Sequence, residues 1–104
     1  MATRLATGIW VSALLHRLDA DAVGAYVVRR GDDTAGSVLL IHDRRDGSAA
    51  LWVREYDMDT DAQVWRITQE GPRAEIEAAA ARQRSFDPDL WLIEVEADPS
   101  AYLI

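Results

Sequence analysis

The sequence predicts an α+β fold: an antiparallel sheet of about five strands with two helices, in the order helix-strand-strand-strand-strand-helix-strand. Three observations predict it. Two segments, one near the start and one after residue 70, repeat apolar side chains at helical spacing. Between and after them run β-branched and aromatic stretches separated by Gly- and Asp-rich turns. The 104 residues are 49% hydrophobic and 28% charged, which supplies one core and excludes the composition of a disordered chain. Residues 1–104 are therefore read as one domain, with a loosely ordered tail over 97–104.

From Thr7 to Ala22, the residues Val11, Leu14, Leu15, Leu18 and Ala22 recur at helical spacing, and Gly24 suits the left-handed position that ends a helix. Ala25–Arg30 then has strand content. Gly31–Gly36 is a turn, followed by Ser37–His42, apolar on both faces and hence a central strand. Asp46-Gly47 is the strongest hairpin signal in the chain and sends Ala49–Tyr56 back antiparallel. With a two- or four-residue turn, Val38, Leu40 and His42 share a face with Ala49, Leu51 and Val53, and Leu39 and Ile41 share the other with Ala50 and Trp52.

The segment 57–62 closes a further hairpin into Gln63–Thr68, completing a meander of four strands. Gly71-Pro72 opens the second helix, with Glu75 and Glu77 near its start, Arg82 and Arg84 near its end, and a narrow alanine-rich apolar side formed by Ile76, Ala79, Ala80 and Phe86. Asp87-Pro88 stops it. Leu90–Glu96 alternates at its end, which places Trp91, Ile93 and Val95 inward and Glu94 and Glu96 outward on a half-exposed strand. Both helices are expected on one face of the sheet.

Formal charge is −7, from 18 acidic and 11 basic residues. A field of that sign repels phosphate backbones and anionic lipid, so nucleic acid and membranes are disfavoured partners. The apolar stretch near the start is interrupted by His16 and Arg17 well short of a membrane span. There is no cysteine, which removes disulfides and thiolate chemistry and fits the cytoplasm. All eleven basic residues are arginine. Schiff-base and Walker-type phosphate chemistry need a lysine and are excluded.

Three blocks carry a family resemblance: Gly8-Ile9-Trp10-Val11, the run from Arg29 to Leu39, and the run from Ala81 to Glu96. Together they resemble the bacterial family catalogued as domain of unknown function 1491, over roughly Arg4 to Glu96. The resemblance implies a small stand-alone protein and brings no activity, cofactor or catalytic residue. The tail after Glu96 differs from the longer polar extension the resemblance implies.

Asp57, Asp59 and Asp61 alternate like the start of a calcium loop, but Ala62 stands where glycine is required and Thr68 where the closing glutamate belongs. No metal and no cofactor is assigned. Arg29, Arg30, Asp32 and Asp33, with His42, form the candidate ligand site, since guanidinium groups grip carboxylates or phosphates and acids orient them; the competing reading is ion pairing across a turn. Four tryptophans are many for a small domain to bury. Trp10, Trp65 and Trp91 are therefore candidate interface residues. The leading functional expectation is a non-enzymatic interaction module that binds itself as a homodimer or another protein. The alternative is a small enzyme or anion-binding protein using the arginine and aspartate cluster.

Overall fold

The computed structural model describes residues 5–103, with Tyr56 described by its backbone alone. Arg4, where the family resemblance begins, lies outside them. Among the described residues, α1 spans Thr7–Ala20, β1 Ala25–Arg29, β2 Val38–Asp43, β3 Ser48–Asp57, β4 Ala62–Pro72, α2 Arg73–Phe86 and β5 Trp91–Val95. A single 3-10 turn at Ser100–Tyr102 follows. The α+β class with two helices and a five-strand sheet stands; the pairing and the layering differ from expectation.

The sheet order is β1-β5-β2-β3-β4. The last strand is inserted between β1 and β2, so these two do not pair and the four-strand meander shrinks to β2, β3 and β4. β5 runs parallel to β2 and antiparallel to β1, which makes the sheet mixed. The cause is the connection: β4, α2 and β5 form a crossover, and a helix between strands returns the chain in the same direction.

The face assignment of the β2–β3 hairpin is also corrected. Leu40 pairs with Trp52, Ile41 with Leu51 and His42 with Ala50. Arg44 N–H donates to the Ser48 carbonyl at 3.1 Å, so Arg45, Asp46 and Gly47 make a three-residue loop, with Arg45 at φ 62° and Gly47 at φ 90°. An odd loop moves the register by one residue, and every side chain of β3 changes face relative to an even one.

That register builds two cores, one on each side. On one side Val11, Leu14 and Leu18 of α1 pack on Val38, Leu40, Trp91, Ile93 and Val95, with Leu103 beyond the 3-10 turn. On the other, Ile76, Ala79 and Ala80 of α2 pack on Leu39, Ile41, Ala49, Leu51, Leu90 and Leu92. The helices therefore cover opposite faces, not one. The alternation of β5 is overridden by its central place: all five residues are buried, and Glu94 is only 5% exposed. The segment after Glu96 docks on α1, where Pro99 is buried and the Arg17 guanidinium donates to the Tyr102 carbonyl at 3.2 Å.

The loop over 30–37 ties these parts together. Its Thr34 and Asp33 carbonyls accept from the first two N–H groups of α1, at 3.2 and 2.8 Å, in place of a side-chain cap. Asp32 N–H donates to the Asp89 carbonyl at 3.0 Å, and Trp91 N–H donates to the Ser37 carbonyl at 2.9 Å. The loop is fastened to the start of β5 and the start of α1 together.

Candidate functional site

The five residues expected to form a polar site are not brought together. Arg29 pairs with Leu92, which is level with Leu39, whereas His42 pairs with Val95, level with Ala25. Three residues of strand separate the two levels, roughly 10 Å at about 3.3 Å per residue. The end of β1 lies near the beginning of β2, and His42 stands at the finish of β2. Burial lowers the pKa of His42, an effect only partly offset by Asp98.

Three of the other four, Arg30, Asp32 and Asp33, are occupied in holding the loop, whereas Arg29 ends β1. Asp32 accepts from Thr34 and Ala35 N–H through its carboxylate, at 3.1 and 2.8 Å, and its carbonyl accepts the Trp91 indole N–H at 2.8 Å. Arg30 lies over the Trp91 ring at 4.9 Å and pairs with Asp33 at 3.0 Å. Both members of that pair are more than 70% exposed, so the pair contributes about 0–1 kcal/mol. Arg29 donates to the carbonyl of its neighbour Val28 at 2.9 Å.

The tryptophans divide. Trp91 is 1% exposed and belongs to the core. Trp10 and Trp65 stack with centroids 5.6 Å apart and planes 19° apart, and Arg54 lies over Trp10 at 5.6 Å. Because α1 covers the β1, β5 and β2 half of its face, the β3 and β4 half is left with Trp52 and Trp65 half-buried and Ile67 42% exposed. Leu5, 60% exposed, joins Trp10, Arg54 and Gln63 along a shallow groove beside this stack. These side chains make an apolar ledge.

A second arrangement was not anticipated. On the opposite face α2 leaves β1 uncovered, and between α2 and β1 runs a groove of about 490 Å³, lined by Val28, Arg29, Ile41, Leu92 and Glu94 of the sheet and by Glu77, Ala81, Arg84 and Ser85 of α2. At one end Arg73 pairs with Asp43, Glu77 and Glu94, each at 2.7 Å. The Glu77 hydrogen bond and the nearby carboxylates raise the Arg73 pKa above its ordinary value. Glu94 also accepts from Tyr26, whose phenol it pushes upward. At the other end Arg84 donates to the Arg30 carbonyl at 3.0 Å, while its buried Nε has no hydrogen-bond partner. The spacing of 77, 81, 84 and 85 on one helical stripe was the available signal, masked because Glu77 and Arg84 read as charges suited to the helix dipole. Among the described residues, no group of three His, Asp or Glu side chains is placed to hold a metal ion, and no helix is long and apolar enough to cross a membrane.

A family model described as "Protein of unknown function (DUF1491)" matches residues 5–104, so the match extends through the tail that had been set apart. The chain is similar to the crystal structure of a DUF1491 family protein from Caulobacter crescentus CB15, with a TM-score of 0.82 and 35% identity over 90% of this chain and 89% of that one. An NMR structure of a DUF1491 family protein from the same organism gives a TM-score of 0.78 and 35% identity over 91% and 87% of the two chains. The solution structure of a protein from A. tumefaciens gives a TM-score of 0.76 and 31% identity over 92% and 88%. No curated protein matches.

Proposed function

Because this chain belongs to the DUF1491 family, whose description carries no chemistry, we propose its function from the surface alone: a non-enzymatic protein–protein interaction module that pairs with a second copy of itself. The observation that carries the reading is the ledge of Leu5, Trp10, Trp65 and Ile67 on the half of the sheet that α1 leaves open. Half-buried aromatic and exposed aliphatic side chains gathered on one rigid surface are what a docking site uses. A two-fold pairing sets the same patch on both subunits and asks for no complementary charge from the partner. Arg54, the cation at the ledge, already lies over Trp10.

The association runs through this face and not through the open edge of the sheet. β4 carries a bulge opposite Leu51 and Trp52, the charges Arg66 and Glu70, and Pro72 at its end, all of which discourage edge pairing. The reading assigns the cytoplasm as the compartment, in keeping with a chain that has no cysteine.

Light scattering across a dilution series tests this. The expected result is a dimer mass that falls toward the monomer on dilution, and an Ile67→Glu variant that is monomeric at concentrations where the parent is not, with a melting temperature equal to that of the parent diluted to monomer. A monomer at every concentration overturns the homodimer. The alternative of a small enzyme or anion binder built on Arg29, Arg30, Asp32 and His42 lacks a common location for its groups. Of these, Arg29 lines the groove that Arg84 also lines.

A further inference from the structure

We propose that the groove between α2 and β1 binds a small molecule with one carboxylate on an apolar body, the carboxylate being taken by Arg84 and Arg29. The inference is independent of the homodimer, since the ledge lies on the other face of the sheet.

Four features of the groove define the ligand. First, Arg84 is half-buried and held in place by the Arg30 carbonyl while its side chain lines the groove, so its guanidinium is positioned before any ligand arrives. Second, among the described residues neither Arg84 nor Arg29 has a carboxylate within ion-pair distance, although eight such pairs involving other arginines are formed. Two guanidinium groups lining one groove without a counter-ion are a receptor for an oxyanion. Third, the floor is apolar, made by Val28, Ile41, Leu92 and Ala81, and the volume of about 490 Å³ lies in the range of small-molecule sites.

The fourth feature selects the anion. The far end holds Glu77 and Glu94, with Asp43 behind them, three carboxylates sharing the single guanidinium of Arg73. That end repels a second negative charge. A phosphate dianion is therefore disfavoured, and a monoanion whose apolar body lies along the floor fits both ends.

Calorimetric titration of the full chain with decanoate, decanol and inorganic phosphate tests the assignment. Decanoate is expected to saturate, decanol to bind about tenfold more weakly or less, as the loss of one charge-assisted contact implies, and phosphate to give no binding. Ala81 is exposed on α2, so Ala81→Trp fills the groove without disturbing a packed residue and is expected to abolish binding. Arg84→Gln is expected to weaken decanoate by about tenfold. Arg29→Gln repeats that loss without touching the Arg84 contact to the loop. Equal affinity for decanoate and decanol, phosphate bound as tightly as decanoate, unaltered binding in Ala81→Trp, or no saturation by decanoate overturns the proposal.

Discussion

At the scale of single residues, the end of α1 shows how a local rule is right in kind and displaced in position. A left-handed residue does end the helix, but it is Ala22, at φ 58°, and not Gly24. Val23 N–H returns to the Leu18 carbonyl and Ala22 N–H to the Asp19 carbonyl, both at 2.9 Å, so the turn is fully bonded while its central residue carries a Cβ. Ala22→Gly is therefore expected to raise stability by about 0.5–1 kcal/mol in urea unfolding, the left-handed strain outweighing the extra freedom of glycine in the unfolded chain. Gly36 has the opposite sensitivity. A Cβ there would stand 2.3 Å from the Asp89 carbonyl oxygen and 2.9 Å from that of Asp32, both main-chain atoms that cannot swing aside. Gly36→Ala is expected to cost about 1–3 kcal/mol by overpacking. His42 sets a pH dependence. Burial lowers its pKa below the ordinary 6.5, so below that value the unfolded chain holds more protons than the folded one, and stability falls as pH drops from 6.5 toward the folded-state pKa. Denaturation midpoints at pH 7.5 and 5.5 are expected to differ less in His42→Asn than in the parent; an identical difference overturns this role.

At the scale of elements, strand and helix positions were legible because each carries its own periodicity and its own punctuation. Loop parity was not. Asp46-Gly47 announces the hairpin, yet whether two, three or four residues turn the chain depends on Arg45 accepting φ 62°, which no composition rule states. The same loop then starts α2, since Gly47 offers its carbonyl to Arg73 N–H at 2.9 Å where Pro72 supplies no side-chain cap. The apolar side expected of α2 is buried at Ile76, Ala79 and Ala80 but not at Phe86, which is 84% exposed, and two adjacent alanines differ in kind. Ala80 is fully buried against β2 and β3, whereas Ala81 faces the groove. Ala80→Leu is expected to destabilise by about 1–3 kcal/mol, while Ala81→Leu is expected to stay within about 0.5 kcal/mol, as for a surface position. Equal effects in thermal unfolding would remove the distinction between the helix face that packs and the helix face that lines a site.

At the scale of the whole molecule, what the sequence could not disclose is the insertion of β5 between β1 and β2, because strand order is a property of long-range pairing and Trp91–Val95 is equally suited to an edge or a centre. Both open surfaces follow from that insertion. The sheet is five strands wide and each helix covers part of one side, with α1 over one half and α2 over the other, so the ledge and the groove are the two uncovered remainders. The candidate site was illegible for the same reason: Arg29 and Arg84 are 55 positions apart and line one groove only because β1 is the neighbour of β5. The tail belongs to this arrangement. Pro99 is fully buried and Leu103 is 9% exposed against α1, closing the first core at its lower edge. A chain truncated after Ala97 is thus expected to lose about 2–5 kcal/mol, the range for removing one large buried aliphatic side chain, and to show it as a lower urea midpoint. A loosely ordered tail would give no change. Because the groove lies on the opposite face, the truncated chain at a temperature where it remains folded is expected to keep its response to decanoate, which separates damage to the first core from damage to the site.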